Sequence, residues 1–393
     1  MGAATTIATR YSAVRRQGFG EDDETELQVI DYKQQQHRIF PLLAASYCFF
    51  FTGKKVLKRL KEIEHRLVSN GEVTKIEVAD LHASTSSLKS FTTTVTADGI
   101  EDCRKACGGH GYLMCSGLPE LLTTYLQNPT VEGDNQMLHQ QVAKVLLKLV
   151  DAVAAGKDLR DYDKCDSRLL IPSLKTILKG SSEQCPATSV EDLLDLQVLL
   201  KAFGHRSARL LIEVAKLIQS SLASGHSNQE AWNNALIAMA RVSRGYSMLV
   251  LLTNVTDGIE DERRDGSLGP SEVQVMNDLA RLFALFWMEK EIGDFLEDGY
   301  LSAEKASWVR SNVVKLLDTV RPNAVPLVDA FDISDFRLKS ALGRFDGDVY
   351  PAILDAAKKD PLNQTEPGPG YEPHLRRLIR DNAGAYTGTA SRL

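Results

Sequence analysis

The sequence predicts an all-α protein built as two helical bundles, and three observations carry that prediction. Nearly every long segment repeats its apolar residues at helical spacing, few segments alternate as strands do, and capping signals precede several apolar runs. At 393 residues the chain is long enough for two or three domains. Its 43% hydrophobic and 25% charged residues are the proportions of an ordinary globular protein.

The elements follow in order. The most apolar run, Ile39–Phe51, contains Pro41 and falls short of the ~20 residues a bilayer needs, so it reads as a buried core helix and no membrane span is expected. From Thr74 a stripe forms from Leu81, Leu88 and Val95, with Phe91, Ile100 and Cys103 filling the same face. Gly108-Gly109 ends that helix, where glycine can take the left-handed cap. A further helix carries Leu138, Val142, Val145, Leu146 and Leu149 on one side. Residues 1–155 make the first bundle. The polar stretch 156–187, with Pro172, Gly180 and Pro186, is the connection. Thr188–Glu191 reads as a capping box that opens the second bundle, 188–393, and Ser227 with Glu230 opens its next helix. Helices over about 271–297 and 303–320 complete that bundle, and GIEDERRDGS (258–267) reads as a solvated, charge-rich loop.

Charge and cysteine usage exclude some functions. A net charge of −6 gives no reason to expect nucleic acid, and the basic cluster Lys54-Lys55, Lys58-Arg59, Lys61 is answered by Glu62 and Glu64, as on a solvated helix face. Six cysteines are sparse for this length and read as reduced thiols. Cys103, Cys107, His110 and Cys115 match no common zinc spacing, so no metal site is expected.

One short stretch raises a chemical question. TVEGDN (130–135) places Glu132 and Asp134 on either side of Gly133, just ahead of an apolar helix. Acids there suit the unpaired N–H groups and positive dipole end of the helix. A carboxylate doing chemistry suits the same letters, and local sequence leaves both readings open.

Several stretches in order widen the view: RYSAVRRQ (10–17), DYKQQQHRIFPLLAASY (31–47), CRKACGGHGYLMCSGLPEL (103–121), TVEGDN, RPNAVPLVDAFD (321–332), LGRFDGDVY (342–350) and DPLN (360–363). Together they resemble the peroxisomal acyl-CoA oxidases, most closely the plant long-chain type, and they match the C-terminal half of such an enzyme. The resemblance implies two C-terminal helical domains, with the N-terminal helical and middle β-domains missing. It implies oxidation of a fatty acyl-CoA to the trans-2-enoyl-CoA, with FAD taking the β-hydride and oxygen leaving as hydrogen peroxide.

The same resemblance assigns Glu132 as the base that removes the α-proton. That role calls for a close, positioned and desolvated carboxylate. Gly133 then lets a flat substrate or flavin approach the backbone, and Asp134 or Asn135 caps the following helix. Arg16, Phe19 and Gln36 are implied to reach the FAD of a neighbouring subunit, and Gly108 and Gly109 to lie along the cofactor. Two departures from the family pattern stand out: the extra Gly18 in RRQGFG, and Val131 where an aromatic residue usually precedes the glutamate. Arg321, Asp329 and Arg344 read as structural ion pairs. A homodimer, or pairing with full-length subunits, is implied. The terminal Ser391-Arg392-Leu393 is a close variant of the peroxisomal address read by an import receptor. Because no β-domain sequence is present, a non-catalytic helical dimerisation protein is the alternative.

Overall fold

The computed structural model describes residues 1–19, 25–69, 71–181, 183–365 and 367–380. The helices are α1 (Gly2–Val14), α2 (Lys33–Val68), α3 (Lys75–Ala106), α4 (Leu118–Tyr125), α5 (Asn135–Ala154), α6 (Ile171–Leu178), α7 (Leu196–Ala223), α8 (Asn228–Asn234) and α9 (Leu236–Arg264). They continue as α10 (Pro270–Lys290), α11 (Ile292–Leu296), α12 (Ala303–Val320), α13 (Ala324–Asp329), α14 (Asp335–Leu338) and α15 (Val349–Lys359). Among the described residues the strands are a single antiparallel pair, β1 (Arg16–Phe19) and β2 (Glu26–Gln28), with Arg16 opposite Gln28. The fold is all-α, as the apolar spacing predicts.

Helix α9 is the axis of the structure and packs against α2, α3, α5, α7 and α10. Met248 through Leu252 are buried in five consecutive positions, so the middle of this helix is apolar all round, as a segment enclosed by other helices must be. Among the described residues it is the one helix long and apolar enough to cross a bilayer, and it does so on composition while lying in the core. The two halves of the chain share one continuous apolar cluster around it.

The contact between α3 and α9 is made by small polar residues. Ser84, Ser86, Ser87 and Ser90 of α3 are buried. Ser87 and Ser90 return their hydroxyls to carbonyls one turn back, at 2.9 Å each, so burial leaves neither donor unpaired. Ser247 of α9 donates to the Ser87 carbonyl at 2.8 Å, and the Tyr246 and Ser84 hydroxyls lie 3.1 Å apart.

Three expected elements differ in detail. The start of the second bundle is capped one residue later than read: Asp192 accepts from the Thr188 and Ser189 backbone at 2.7 and 2.9 Å, and Ser189 accepts from Asp192 N. That box opens only a 3-10 turn, Glu191–Leu194, and α7 takes its own cap from Asp195. By contrast, the Ser227/Glu230 capping box forms as expected. Residues 258–264 are the last turns of α9, not a loop; Glu260 pairs with Arg263 and Arg264 at helical spacing. The connection 156–187 is itself packed, with Tyr162, Cys165, Leu170, Leu174 and Cys185 buried.

Ion pairs fasten the ends of the chain together. Arg10, buried in α1, meets Asp329 at 2.7 Å, and Arg321 meets Asp31 at 2.6 Å. Arg344 pairs locally with Asp346 on the surface.

Candidate functional site

Helix α3 organises both candidate groups of residues. Near its middle it anchors the turn that carries Glu132, and its C-terminal end delivers Gly108 and Gly109. Lys89 and Ala106 are separated by enough helix to span about 25 Å at 1.5 Å per residue, so in one chain the two groups stand well apart.

The Glu132 turn joins α4 to α5. Thr130 N and Val131 N both reach back to the Gln127 carbonyl at 3.0 Å, and Asn135 N closes onto the Pro129 carbonyl at 3.0 Å. Asp134 is the N-cap of α5, accepting from Gln136 N at 2.9 Å. Asn135 does something else: its buried amide donates to the Ser90 carbonyl, Thr93 Oγ1 and Thr94 Oγ1 at 3.1, 3.0 and 2.9 Å. Lys89 completes the anchor by donating to the Gly133 carbonyl at 2.6 Å, to Asn135 Oδ1 at 2.8 Å and to the Pro129 carbonyl at 3.3 Å. Burial holds the Lys89 ammonium below the usual lysine range, against the opposing pull of Asp134 and Glu132.

Glu132 itself has φ +54°, in the left-handed region, and Gly133 follows at φ +98°. Glycine enters that region freely, whereas a glutamate there is strained. The Glu132 side chain is exposed and makes no hydrogen bond or ion pair among the described residues. The expectation of a desolvated base is therefore corrected for this chain alone: the backbone is fixed, but no wall encloses the carboxylate.

At the other end of α3, Gly108 (φ +60°) and Gly109 border a cavity of about 360 Å³ shared with Tyr11, Arg15, Gln17 and His110. A Cβ on either glycine would meet nothing within 4 Å, so both offer bare backbone to open space. The Tyr11 hydroxyl and His110 Nδ1 are 2.7 Å apart, and burial pushes the Tyr11 phenol up to about 12. Cys103 and Cys107 are buried beneath, with the Cys103 thiol pushed up to about 12 by burial. Among the described residues no cluster of metal-binding side chains occurs.

Not every expected cofactor residue reaches this cavity. Arg16 is exposed and donates to the Glu26 carbonyl across the ribbon at 2.8 Å. Its neighbour Arg15 lines the cavity, because the chain is already extended there and successive side chains point to opposite sides. Gln36 is buried and accepts from Lys33 Nζ at 3.3 Å. Gln35, also buried, ties α2 to the end of α3 and to α1, donating to the Ala106 carbonyl at 2.8 Å and to Ser12 Oγ at 2.9 Å. The Phe19 side chain and Ser391–Leu393 lie outside the described residues. Sequence reasoning passed over Lys89, Arg15 and Gln35. For Lys89 no local signal exists, since its partners lie some 40 residues further along the chain.

Two family models match: acyl-CoA oxidase C-alpha1 domain over residues 1–147, and acyl-CoA oxidase over residues 195–380. Peroxisomal acyl-coenzyme A oxidase 1 of Arabidopsis thaliana is 38% identical over 382 residues, 96% of this chain and 54% of that protein. The crystal structure of an acyl-CoA oxidase from tomato superposes with a TM-score of 0.85 at 37% identity, covering 96% of this chain and 55% of the tomato chain. Acyl-CoA oxidase-1 of Caenorhabditis elegans, solved in complex with FAD and ATP, gives a TM-score of 0.84 at 33% identity, with 97% and 55% covered. The chain spans about half the length of the relatives it matches.

Proposed function

This chain belongs to the acyl-CoA oxidase family, and from that membership we propose that it carries the proton-abstracting half of an FAD-dependent, peroxisomal acyl-CoA oxidase. The observation that bears most on this reading is the Glu132 turn. A glutamate is held in left-handed backbone by α3 while its carboxylate is left free. Strain of this kind persists only where surrounding contacts impose it, and it gathers at functional sites.

Glu132 would take the α-proton of the fatty acyl thioester as the β-hydrogen leaves with its electron pair. FAD, when bound, accepts that hydride and is returned to its oxidised form by oxygen, giving hydrogen peroxide. The chain's own residues have narrower tasks. Lys89 and Asn135 fix the turn, Asp134 caps α5, and Gly133 supplies left-handed backbone at φ +98°, with Leu138 packed where a Cβ would stand, so the open approach expected at this glycine is not what it provides. Gly108, Gly109 and Arg15 suit a cofactor that is flat and anionic: two uncovered backbone positions beside a guanidinium, which pairs well with phosphate oxygens. Arg16, Phe19 and Gln36 were implied for this task by the family pattern; beside Arg16, Arg15 is the arginine that lines this cavity.

The length of α3 between Lys89 and Ala106, roughly 25 Å, separates the two groups and accords with one subunit's glycine pair and another's glutamate serving the same cofactor, as in a dimer. The remaining walls of the flavin and acyl sites are assigned to sequence outside this chain. This gives the second reading its footing: with Glu132 uncovered, the chain alone is a helical dimerisation partner of full-length subunits rather than a working oxidase.

The test is a visible spectrum of the purified chain with and without added FAD, followed by peroxide release from palmitoyl-CoA. A flavin spectrum and peroxide formation that Glu132→Gln lowers about 10²–10⁴-fold support an active chain with Glu132 as base. Colourless, inactive protein that gains activity only when mixed with the missing half supports the second reading. Full activity in Glu132→Gln overturns the role of Glu132.

A further inference from the structure

We propose that Lys89, a residue of α3 remote in sequence from the motif, is the positioning residue that sets the direction of Glu132. The inference rests on the reading of Glu132 as the base.

An ammonium has three N–H donors and no acceptor, and at Lys89 three partners account for all of them: the carbonyls of Pro129 and Gly133 and the side-chain oxygen of Asn135. The two carbonyls bracket Glu132 in the chain, one three residues before it and one immediately after it. Drawing both toward one point on α3 closes the turn and leaves Glu132 as the residue that must adopt positive φ. Asn135 serves as the second peg. Its oxygen accepts from Lys89 while its amide nitrogen is spent on Ser90, Thr93 and Thr94 of the same helix, so its orientation is fixed by four partners.

A salt bridge would be the ordinary use of a lysine so close to Glu132 and Asp134. Neither carboxylate is within ion-pair distance of Lys89; its donors go to backbone and amide oxygens instead. The cation therefore shapes the backbone and leaves the Glu132 carboxylate free to accept a proton. Charge-assisted bonds of this kind are the strong ones, and they act here on an otherwise exposed turn.

The experiment compares the full chain with Lys89→Met, which keeps side-chain length and removes the donors, and with Lys89→Arg, which restores donors and charge. A glutamate-specific protease is the probe, read at the Glu132–Gly133 bond with the exposed bond after Glu72 as internal reference. The expected result is cleavage after Glu132 at least about tenfold faster in Lys89→Met, the equivalent of about one net hydrogen bond, with the Glu72 site unchanged and partial rescue by Lys89→Arg. Backbone carbon shifts of Glu132 should move out of the left-handed range in the same variant. Should Lys89→Met fail to fold, Lys89→Gln, whose neutral amide keeps a shorter donor arm, gives the same comparison.

Unchanged cleavage and unchanged Glu132 shifts in a folded, donor-free variant overturn the proposal. In any preparation that forms peroxide, Lys89→Met should lower kcat while KM for the acyl-CoA stays within about twofold, as for a group that orients the base without binding substrate; a rise in KM alone overturns it. Failure of Glu132→Gln to abolish turnover would sink the base assignment separately, since cleavage and shifts report the turn without any flavin.

Discussion

Two regions of this molecule treat charge in opposite ways. In the second bundle the Arg206 side chain is wholly buried, 2.6 Å from Asp294 and 3.1 Å from both Glu291 and the Met248 sulfur. Arg241 joins at Asp294, and Arg244 meets Glu291 at 2.6 Å, so every charge in the group has an opposite. In the first bundle Glu132 has no side-chain partner among the described residues and stands in solvent, on backbone that its own residue type disfavours. Burial obliges a charge to find partners, so the Arg206 group is accounted for by packing alone. Nothing in the packing asks for a glutamate at position 132. Its strain is held by α3 without any stabilising contact from the side chain in return, which is the pattern of a residue kept for use.

The largest way to sharpen this contrast is Arg206→Ala. It removes the buried cation shared by Asp294 and the part-buried Glu291, leaving Arg241 and Arg244 as their remaining partners, and should cost about 3 kcal/mol in urea unfolding, the low end for breaking a buried pair. Acid adds a second reading of the same group. Burial alone would raise the Asp294 carboxyl, but Arg206 and Arg241 outweigh it and hold the group below an ordinary aspartate's 3.8. A carboxyl with a folded value below its unfolded one stabilises fully above the unfolded value, and that contribution is lost as pH falls through the folded value. Unfolding midpoints measured from about pH 5 downward should therefore lose Asp294's share only below about pH 4, and Arg206→Ala should weaken that acid-side loss. An equal acid dependence in the variant would show that other carboxylates govern it.

A smaller effect belongs to the turn. Asp134→Ala removes the cap of α5 and should cost about 1 kcal/mol, within the range for N-cap losses, as read by thermal or urea unfolding. Because Lys89 and Asn135 hold the turn independently, the left-handed shifts of Glu132 should survive this change. Loss of those shifts would mean that the cap, and not α3, fixes the glutamate.

How much of this was legible in the sequence follows the same division. The long helices could be read because their apolar residues recur at helical spacing, and Ser227 with Glu230 could be read because a capping box is local. The seating of α3 on α9 could not. Serine carries no apolar signal at Ser84, Ser87 and Ser90, and only the structure reveals the Ser87 and Ser90 hydroxyls turned back onto the helix's own carbonyls and the Ser84 hydroxyl beside that of Tyr246. The β1–β2 ribbon is too short to alternate visibly. At the candidate site the family resemblance singled out Glu132 from its neighbour Asp134, which local chemistry could not do. It named Arg16 and Gln36, but local sequence cannot tell Arg15 from Arg16 or Gln35 from Gln36: adjacent residues of one type differ in the side of the backbone they occupy, which for the arginines follows from where α1 ends.

The finest test of the contrast is Glu132→Asn set beside Glu132→Gln. Asparagine is the non-glycine residue that best tolerates left-handed backbone, whereas glutamine keeps glutamate's length and its discomfort there. If the turn is imposed by Lys89 and Asn135, it persists in both variants, and only the conformational penalty differs. Glu132→Asn should then raise stability by about 0.5–1 kcal/mol, and Glu132→Gln should lie within about 0.5 kcal/mol of the parent. Both should lose whatever proton-abstracting activity the parent has. A residue that removes stability where it stands, and whose better-fitting replacement removes function, is the reverse of Arg206, where the native side chain is the stabilising one. If asparagine brings no gain, Glu132 is not strained in solution, and its backbone gives no reason to assign it a use.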